Sequence, residues 1–300
     1  MSKILECIPN FSEGRDEEKI EKIIKPFKQI EGVKLLDYSA DKDHNRLVVT
    51  MIGSPESLKT SVLSAMETAV DIIDMNKHKG EHPRMGAIDV VPFTPVRNVE
   101  MEEAVELANE VAEKAANKLD LPIYMYEEAA TSSERKNLAE IRRGEYEGFR
   151  KKIKKDEWKP DYGPVKIHPT AGATVIGARM PLVAFNINLD TDNLEVANKI
   201  ARKIRHSSGG LRYCKAIGID LSERGIVQVS MNMINYTQTS LYQVFEMVKF
   251  EARRYGVNLI GSELIGLLPA QALFDVADYY LKMENFSPDQ IMENRLLEDI

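Results

Sequence analysis

The chain has 300 residues, of which 43% are hydrophobic and 29% charged, and a formal net charge of −7. This composition is typical of a globular protein of one large or two medium domains, and the acidic balance argues against a nucleic-acid partner. No apolar run approaches a membrane span of roughly 18 residues, and the N-terminus has no signal-peptide pattern. Cys7 and Cys214 are far apart and form no CxxC motif, so we expect a cytoplasmic protein without a membrane partner.

Hydrophobic periodicity predicts alternating strands and helices in the first half of the chain. The predicted strands are Lys3–Ile8, Val33–Tyr38, Leu47–Ile52 and Ala87–Val91. The predicted helices are one that buries Ile20, Ile23, Ile24 and Phe27, and one that starts at Pro55 and is ended by Gly80. An added helix, Val99–Leu119, and a short strand, Pro122–Tyr126, follow. Residues 130–160 are strongly charged and predict short surface helices. The basic run Arg150–Lys155 indicates a solvated face, and steering of an anionic ligand is the alternative.

The second half repeats the same order of elements. The predicted elements are the strands Leu182–Leu189, Ala216–Leu221, Ile226–Met233 and Asn258–Ile260, and the helices Leu194–Ile204, one from Leu241 to Gly256, and Pro269–Lys282. Each half therefore reads β-α-β-β-α-β with an added helix. We expect an α+β fold of two domains, residues 1–180 and 181–300, with a ligand cleft between two open sheets.

The segment His78–Asp89 is the strongest candidate site. It carries two histidines, a carboxylate and an arginine among glycines and a proline, on a helix-to-strand connection. Pro83 favours an extended conformation at His82. Side chains then alternate, so His82 and Arg84 face one side and Glu81 faces the other.

Three interpretations of this segment compete. The spacing His78-x-x-Glu81-His82 matches one class of zinc peptidases, but that motif needs a continuous helix, which Gly80 and Pro83 interrupt. We therefore expect no metal. The segment could also be an inert polar loop. The third interpretation is general acid–base chemistry at His82, because an imidazole takes and returns protons near neutral pH, while an arginine beside it grips a carboxylate.

A second candidate loop is rich in proline and glycine. Glycines let a backbone approach a ligand closely, and prolines hold it extended, which suits a flat ring. A plain interdomain linker explains the same composition. The residues are Gly163, Pro164, Val165, Lys166, Ile167, His168, Pro169, Thr170, Ala171 and Gly172.

Several blocks of sequence resemble those of glutamate formimidoyltransferases. They are Ile8–Gly14, Asn45-Arg46, His78–Gly86, Asp161–Pro164, Gly177–Arg179, Ala184–Leu189 and Gly261–Leu267. The resemblance runs in order from residue 3 to about residue 285.

The resemblance implies transfer of the formimino group from N-formimino-L-glutamate to N5 of tetrahydrofolate, in histidine degradation. It implies two ferredoxin-like subdomains flanking a ligand tunnel, a homodimer, His82 as the catalytic residue, and folate binding at residues 163–172. Tetrahydrofolate is then a co-substrate. Because the chain ends at Ile300, a separate cyclodeaminase is expected to act on the product.

The chemistry of the residues agrees with such a reaction. The attacking amine loses a proton and the leaving nitrogen gains one, and a single histidine can do both. Arg84 is the candidate for the substrate carboxylates, Asn10 is a further candidate, and Asp37, Glu81 and Asp89 are unranked candidates for the amidinium.

One departure from the family pattern leaves the donor open. Relatives can carry an aspartate where this chain has Ser39, and the charged segment Asp41–His44 lies next to that position. Formyl transfer from N-formylglutamate is therefore an alternative activity, and a non-catalytic folate-binding protein is an alternative of another class.

Overall fold

The computed structural model describes residues 3–298, with side chains as far as residue 295. The architecture is α+β, as predicted, and the chain divides after Arg179 into two compact units. Each unit has its own sheet and its own hydrophobic core. Within residues 3–298, no helix combines the length and the apolar character that a membrane span requires.

The first unit contains seven strands and five α-helices among its described residues. The strands are β1 Ile4–Cys7, β2 Asn10–Phe11, β3 Val33–Asp41, β4 Arg46–Gly53, β5 Ile88–Arg97, β6 Ile123–Glu127 and β7 Thr174–Ala178; the helices are α1 Glu17–Gln29, α2 Pro55–Ile72, α3 Met101–Leu119, α4 Leu138–Arg142 and α5 Glu145–Lys152.

Local sequence signals explain where the first helices begin. The Asp16 side chain accepts from the amides of Glu18 and Lys19 and caps α1. Ser54 caps α2 through the amide of Ser57, and Pro55 occupies its first turn, where the lack of an amide hydrogen does no harm. Apolar residues at three- and four-residue spacing then bury one face of each helix against the sheet.

The strands of the first unit form one mixed sheet. Its order is β3-β4-(β1, β2)-β5-β7-β6, where β1 and β2 both lie between β4 and β5. The first four positions are antiparallel, whereas β5–β7 and β7–β6 are parallel. Strand β7 was not predicted, and with β6 it extends the sheet beyond the expected β-α-β-β-α-β unit.

The charged segment 130–160 forms short helices, as predicted, but not as a purely surface structure. Its apolar residues Ile141, Phe149 and Ile153 are buried, and they pack in one cluster with Val90, Tyr124 and Val175 of the sheet. The segment thereby covers the face of β5, β7 and β6 that α3 does not occupy. The high charge of the segment hides the amphipathic spacing of these buried residues in the sequence.

Helix α2 ends earlier than predicted. Its last residue is Ile72, and Ile73 is already extended, with φ −103° and ψ 119°. Asp74 then organises a turn, because its side chain accepts from the amide of Asn76 at 3.0 Å and its carbonyl accepts from the amide of His78 at 3.1 Å. Such a local turn competes with helix continuation. Gly80 is therefore part of a loop and does not end the helix.

The second unit follows the predicted order of elements. They are β8 Val183–Leu189, α6 Leu194–Ile204, β9 Cys214–Leu221, β10 Ile226–Met233, α7 Leu241–Arg253, β11 Leu259–Ile265, α8 Ala270–Leu281 and α9 Met292–Glu298. The sheet order is β11-β8-β10-β9, and all its pairs are antiparallel. One sheet face packs on α6 and α7 through apolar residues such as Ile187, Val229 and Ile200.

Candidate active site

The loop between α2 and β5 is held in place by hydrogen bonds at both ends. The amide of Met75 donates to the carbonyl of Thr170 at 2.8 Å, and the amide of Ala87 donates to the carbonyl of Ala171 at 2.8 Å. In the middle, Asn45 Nδ2 donates to the carbonyl of Lys79 at 3.1 Å. Gly80 is required here, since a Cβ would lie 2.2 Å from the carbonyl oxygen of His44.

His78 has a structural role in this loop. Its Nε2 donates to the carbonyl of Asn45 at 3.0 Å, and its Nδ1 accepts from Nε of Arg84 at 3.3 Å. Burial lowers the pKa of His78, which keeps the ring neutral. Because both ring nitrogens are engaged and the loop is not helical, the zinc-peptidase interpretation does not fit His78. Within residues 3–298, no group of three or more His, Cys, Asp or Glu side chains is arranged to hold a metal.

Arg84 forms ion pairs within the protein. Its side chain is 8% exposed, Nη1 donates to Oε2 of Glu145 at 2.7 Å, and Nη2 donates to Oε1 of Glu147 at 2.7 Å. Both carboxylates belong to α5. They occupy the guanidinium N–H donors that we expected to bind a substrate carboxylate. Arg84 therefore joins α5 to the loop, a role that sequence reasoning missed.

His82 lies in a strongly cationic environment. Burial, followed by the positive charges of Arg46 and Arg142, lowers the pKa of His82 to about 3. The ring of His44 also lies close, with centroids 6.5 Å apart at an interplanar angle of 67°. The ligand-free protein thus holds His82 as a neutral imidazole, able to accept a proton, and surrounds it with groups that attract anions.

Asp89 binds both the His82 loop and Arg142. Its carboxylate is buried; Oδ1 accepts from the amide of Met85 at 2.9 Å, and Oδ2 is paired with Nη2 of Arg142. Burial raises the pKa of Asp89, and the guanidinium of Arg142 opposes that shift. Both oxygens are engaged, so Asp89 orients the loop and Arg142 and has no free oxygen for the substrate amidinium. A cavity of about 240 Å³ reaches Arg142, and its lining consists of Pro83, Ala139, Arg142, Arg143, Gly144 and Glu145.

The other predicted substrate-binding residues are Asn10, Asp37 and Glu81. Asn10 pairs in register with Val48 and Val90. Asp37 is exposed on the edge strand β3, and Glu81 is exposed in the loop. The structure therefore groups His82 with arginines, and it does not bring Asp37 or Glu81 into hydrogen-bond contact with His82.

The charged turn Asp41–His44 lies beside His82. Nδ1 of His44 contacts Oδ2 of Asp41 at 2.7 Å, and hydrogen bonds from the backbone and side chain of His44 lower the pKa of Asp41. His44 of this pair is two residues before Arg46, and its ring lies near His82. From sequence, compensation for the missing carboxylate at Ser39 was the role considered for this turn, and that role stays a prediction.

The segment 163–172 is a closed loop tied to the His82 loop. The amide of His168 donates to the carbonyl of Gly172 at 2.9 Å, and the amide of Gly172 returns a bond at 3.2 Å. His168 Nδ1 accepts from the amide of Ala171 at 2.9 Å. Gly172 has φ +77°, and a Cβ there would lie 2.4 Å from the carbonyl oxygen of Met85, so the close approach requires glycine. This segment is an ordered part of the first unit and not a flexible linker.

A basic cavity of about 340 Å³ adjoins this loop. Its lining combines apolar side chains with three cations and no carboxylate: Arg150, Ile153, Lys154, Val165, Lys166, Ile167 and Pro169. Apolar walls suit a flat ring, and cations suit an acidic ligand.

The pKa of His82 predicts a pH dependence of stability. A histidine whose pKa is lowered on folding binds fewer protons in the folded than in the unfolded state between pH about 3 and the ordinary value of about 6.5. The free energy of unfolding should therefore fall as the pH drops through this window, and less steeply in His82→Gln. Denaturant unfolding of both proteins from pH 4 to pH 7 measures the difference; equal slopes would contradict the lowered pKa.

Comparison with known proteins assigns the chain to a class of one-carbon group transfer domains. The N-terminal subdomain of the formiminotransferase domain matches residues 4–179, and the formiminotransferase domain model matches residues 184–297. The chain belongs to the formiminotransferase family.

Curated relatives match over almost the full chain. The "Glutamate formimidoyltransferase" of Streptococcus pyogenes is 56% identical over 99% of this chain and 100% of its own length. The protein of the same name from Thermoplasma acidophilum is 42% identical over 98% of this chain and 97% of its own length. The "Formimidoyltransferase-cyclodeaminase" of Dictyostelium discoideum is 45% identical over 99% of this chain and 56% of its own length.

Proposed function

We propose that this protein transfers the formimino group of N-formimino-L-glutamate to N5 of tetrahydrofolate, in histidine degradation and one-carbon metabolism. The products are 5-formimidoyltetrahydrofolate and L-glutamate. The names of the two relatives matched over their full lengths support the reaction. The geometric observation that carries the proposal is that hydrogen bonds join the His82 loop to the segment 163–172, so a neutral base stands beside a loop suited to a flat ring.

In the proposed mechanism, His82 is the general acid and base. N5 of tetrahydrofolate attacks the formimino carbon, and His82 takes the proton that N5 loses. The tetrahedral intermediate then breaks its bond to the glutamate nitrogen, and the protonated His82 returns the proton to that nitrogen. The carboxylates of the donor supply negative charge near Arg46 and Arg142, which raises the pKa of His82 from its low ligand-free value and makes the proton transfer feasible.

Tetrahydrofolate is proposed to lie against residues 163–172. Val165, Ile167 and Pro169 provide apolar contact for its rings, whereas Lys166 and Arg150 provide positive charge for its glutamate carboxylates. Asn10 stays a candidate for contacts to the donor, whereas the ion pairs of Arg84 with α5 give Arg84 a role in positioning the His82 loop. Asp37 and Glu81 stay weaker candidates, since both are exposed.

The finer architecture and assembly are part of the same proposal. Both units, predicted as residues 1–180 and 181–300, are proposed to be ferredoxin-like. In support, the strands of each β-α-β-β-α-β unit lie in the order fourth, first, third, second: β5-(β1, β2)-β4-β3 in one and β11-β8-β10-β9 in the other. A cytoplasmic homodimer is proposed as well. Exposed apolar side chains of the second unit support it, such as Ile265 and Leu281, at 54% and 70% exposure. A cyclodeaminase is proposed to consume the product.

The test of the proposal is a donor comparison with the purified protein. Glutamate release is measured with tetrahydrofolate and either N-formimino-L-glutamate or N-formyl-L-glutamate, and tetrahydrofolate binding is measured separately. We expect tetrahydrofolate-dependent glutamate release from the formimino donor. Release from the formyl donor alone would assign the alternative activity, and binding without release from either donor would assign a folate-binding protein.

A further inference from the structure

The guanidinium of Arg46 has no hydrogen-bond or ion-pair partner among residues 3–298. It begins β4, and the alternation along this strand places it on the face opposite the buried Leu47, away from α1 and α2. Its Nε is buried and makes no hydrogen bond, and no ion pair of its guanidinium is present among the residues that the structure describes. Every other arginine near His82 is paired: Arg84 with two glutamates and Arg142 with Asp89.

This arrangement is electrostatically unfavourable. Burial and the like charge of Arg142 lower the pKa of Arg46, and Asp41 and Asp89 only partly oppose the shift. Nε of Arg142 is likewise buried without a partner. Partial burial of a cation whose Nε has no acceptor costs free energy, and an anion bound at Arg46 would recover that cost.

The surroundings define the anion. The site holds two guanidinium groups beside a neutral imidazole, and Asp89 is the single buried carboxylate that the structure places against them. Guanidinium binds carboxylate with two parallel hydrogen bonds, whereas amides and amidinium groups find no matching acceptor here.

We propose that Arg46 binds a carboxylate of the glutamate moiety of the donor, and that it is the residue that makes this site specific for an acidic amino acid. Arg142, held by Asp89, lies alongside and orients the same carboxylate. This inference rests on the proposed function for the identity of the donor, and it moves the carboxylate contact from Arg84, whose two positions are filled within the protein.

Binding of the product L-glutamate tests the inference without requiring turnover. We expect Arg46→Gln to raise the Kd of L-glutamate about 10- to 100-fold, as for loss of a charge-assisted hydrogen bond, and to remove the preference for L-glutamate over L-norvaline. Arg46→Lys should fall between wild type and Arg46→Gln, because it keeps the charge and loses the bidentate fork. Lys42→Gln, an exposed cation in the preceding turn, is the matched control and should bind as wild type does.

Thermal unfolding separates ligand binding from a structural role. If Arg46 serves the ligand, Arg46→Gln should unfold at the same temperature as the ligand-free wild type or higher, and L-glutamate should stabilise the wild type but not the variant. A lower unfolding temperature together with an unchanged Kd would overturn the inference.

The result is also distinguishable from failure of the proposed function. Arg46-dependent glutamate binding without formimino transfer would leave the inference standing and remove the proposed reaction. If Arg46→Gln still transfers the formimino group with an unchanged KM for the donor, the proposed reaction stands and the inference about Arg46 falls.

Discussion

Replacing His82 with alanine is expected to lower kcat for formimino transfer by roughly 100- to 10,000-fold, the usual contribution of a positioned acid–base group. The His82 imidazole is neutral at neutral pH, so it can take the proton of N5 and later return it to the leaving nitrogen. Steady-state glutamate release from the wild type and His82→Ala gives the ratio.

The control for this variant is His206→Ala, which removes an exposed histidine of the second unit and should leave kcat unchanged. Because His82 is only half-buried, His82→Ala should keep the fold and its circular dichroism spectrum. Its tetrahydrofolate affinity should also be unchanged, and free imidazole should restore part of its rate. A kcat within tenfold of wild type would remove His82 from the mechanism.

Replacing Arg142 with methionine is expected to reduce the free energy of unfolding by about 3–5 kcal/mol. Asp89 is 2% exposed, and it would keep its amide bond from Met85 but lose its cationic partner. Removing one member of a buried ion pair leaves a desolvated charge, and that accounts for the size of the effect. Urea unfolding at pH 7 measures it.

Arg143→Met is the matched control, because the adjacent Arg143 is exposed and pairs only with Glu140 on the surface of α4. Its loss should be below about 1 kcal/mol. The double variant Arg142→Met with Asp89→Asn should recover part of the stability, since it removes the unpaired charge. Equal losses in Arg142→Met and Arg143→Met would show that the buried pair contributes no more to the free energy of unfolding than a surface pair.

Much of the scaffold could be predicted because hydrophobic spacing is a local signal. Helix Leu194–Ile204 and strand Ile226–Met233 have the predicted limits, and His82 lies on the predicted helix-to-strand connection. Gly80 and Pro83 correctly indicated an irregular backbone around His82. Such features depend on neighbouring residues, and the sequence displays them directly.

The charges around His82 could not be assigned in the same way. Arg84 is 61 and 63 residues from the two glutamates that occupy it, and Arg142 is 53 residues from Asp89. Sequence proximity therefore favoured Arg84 as the substrate ligand, although the fold gives that residue carboxylates of its own. Asn45-Arg46 was noted only as part of a family resemblance, and the buried, unbonded Nε of Arg46 is visible only in three dimensions.

Two element errors have equally physical causes. Strand β7 follows the loop 163–172 directly, and its run Thr174–Ala178 is short and uniformly buried, so it shows no alternation. Helix α2 ends at Ile72 because Asp74 bonds to the backbone of its own turn, whereas the helix-breaking glycine stands eight residues further on.

The hydrogen bonds between residues 75–87 and 169–173 couple the binding of the two ligands. A ligand that shifts one of these ordered loops must also shift the other, since hydrogen bonds join their backbones. Each co-substrate should then raise the affinity for the other, and thermodynamic linkage requires the two enhancement factors to be equal. This structure thus predicts synergy between donor and acceptor that is the same whichever arrives first.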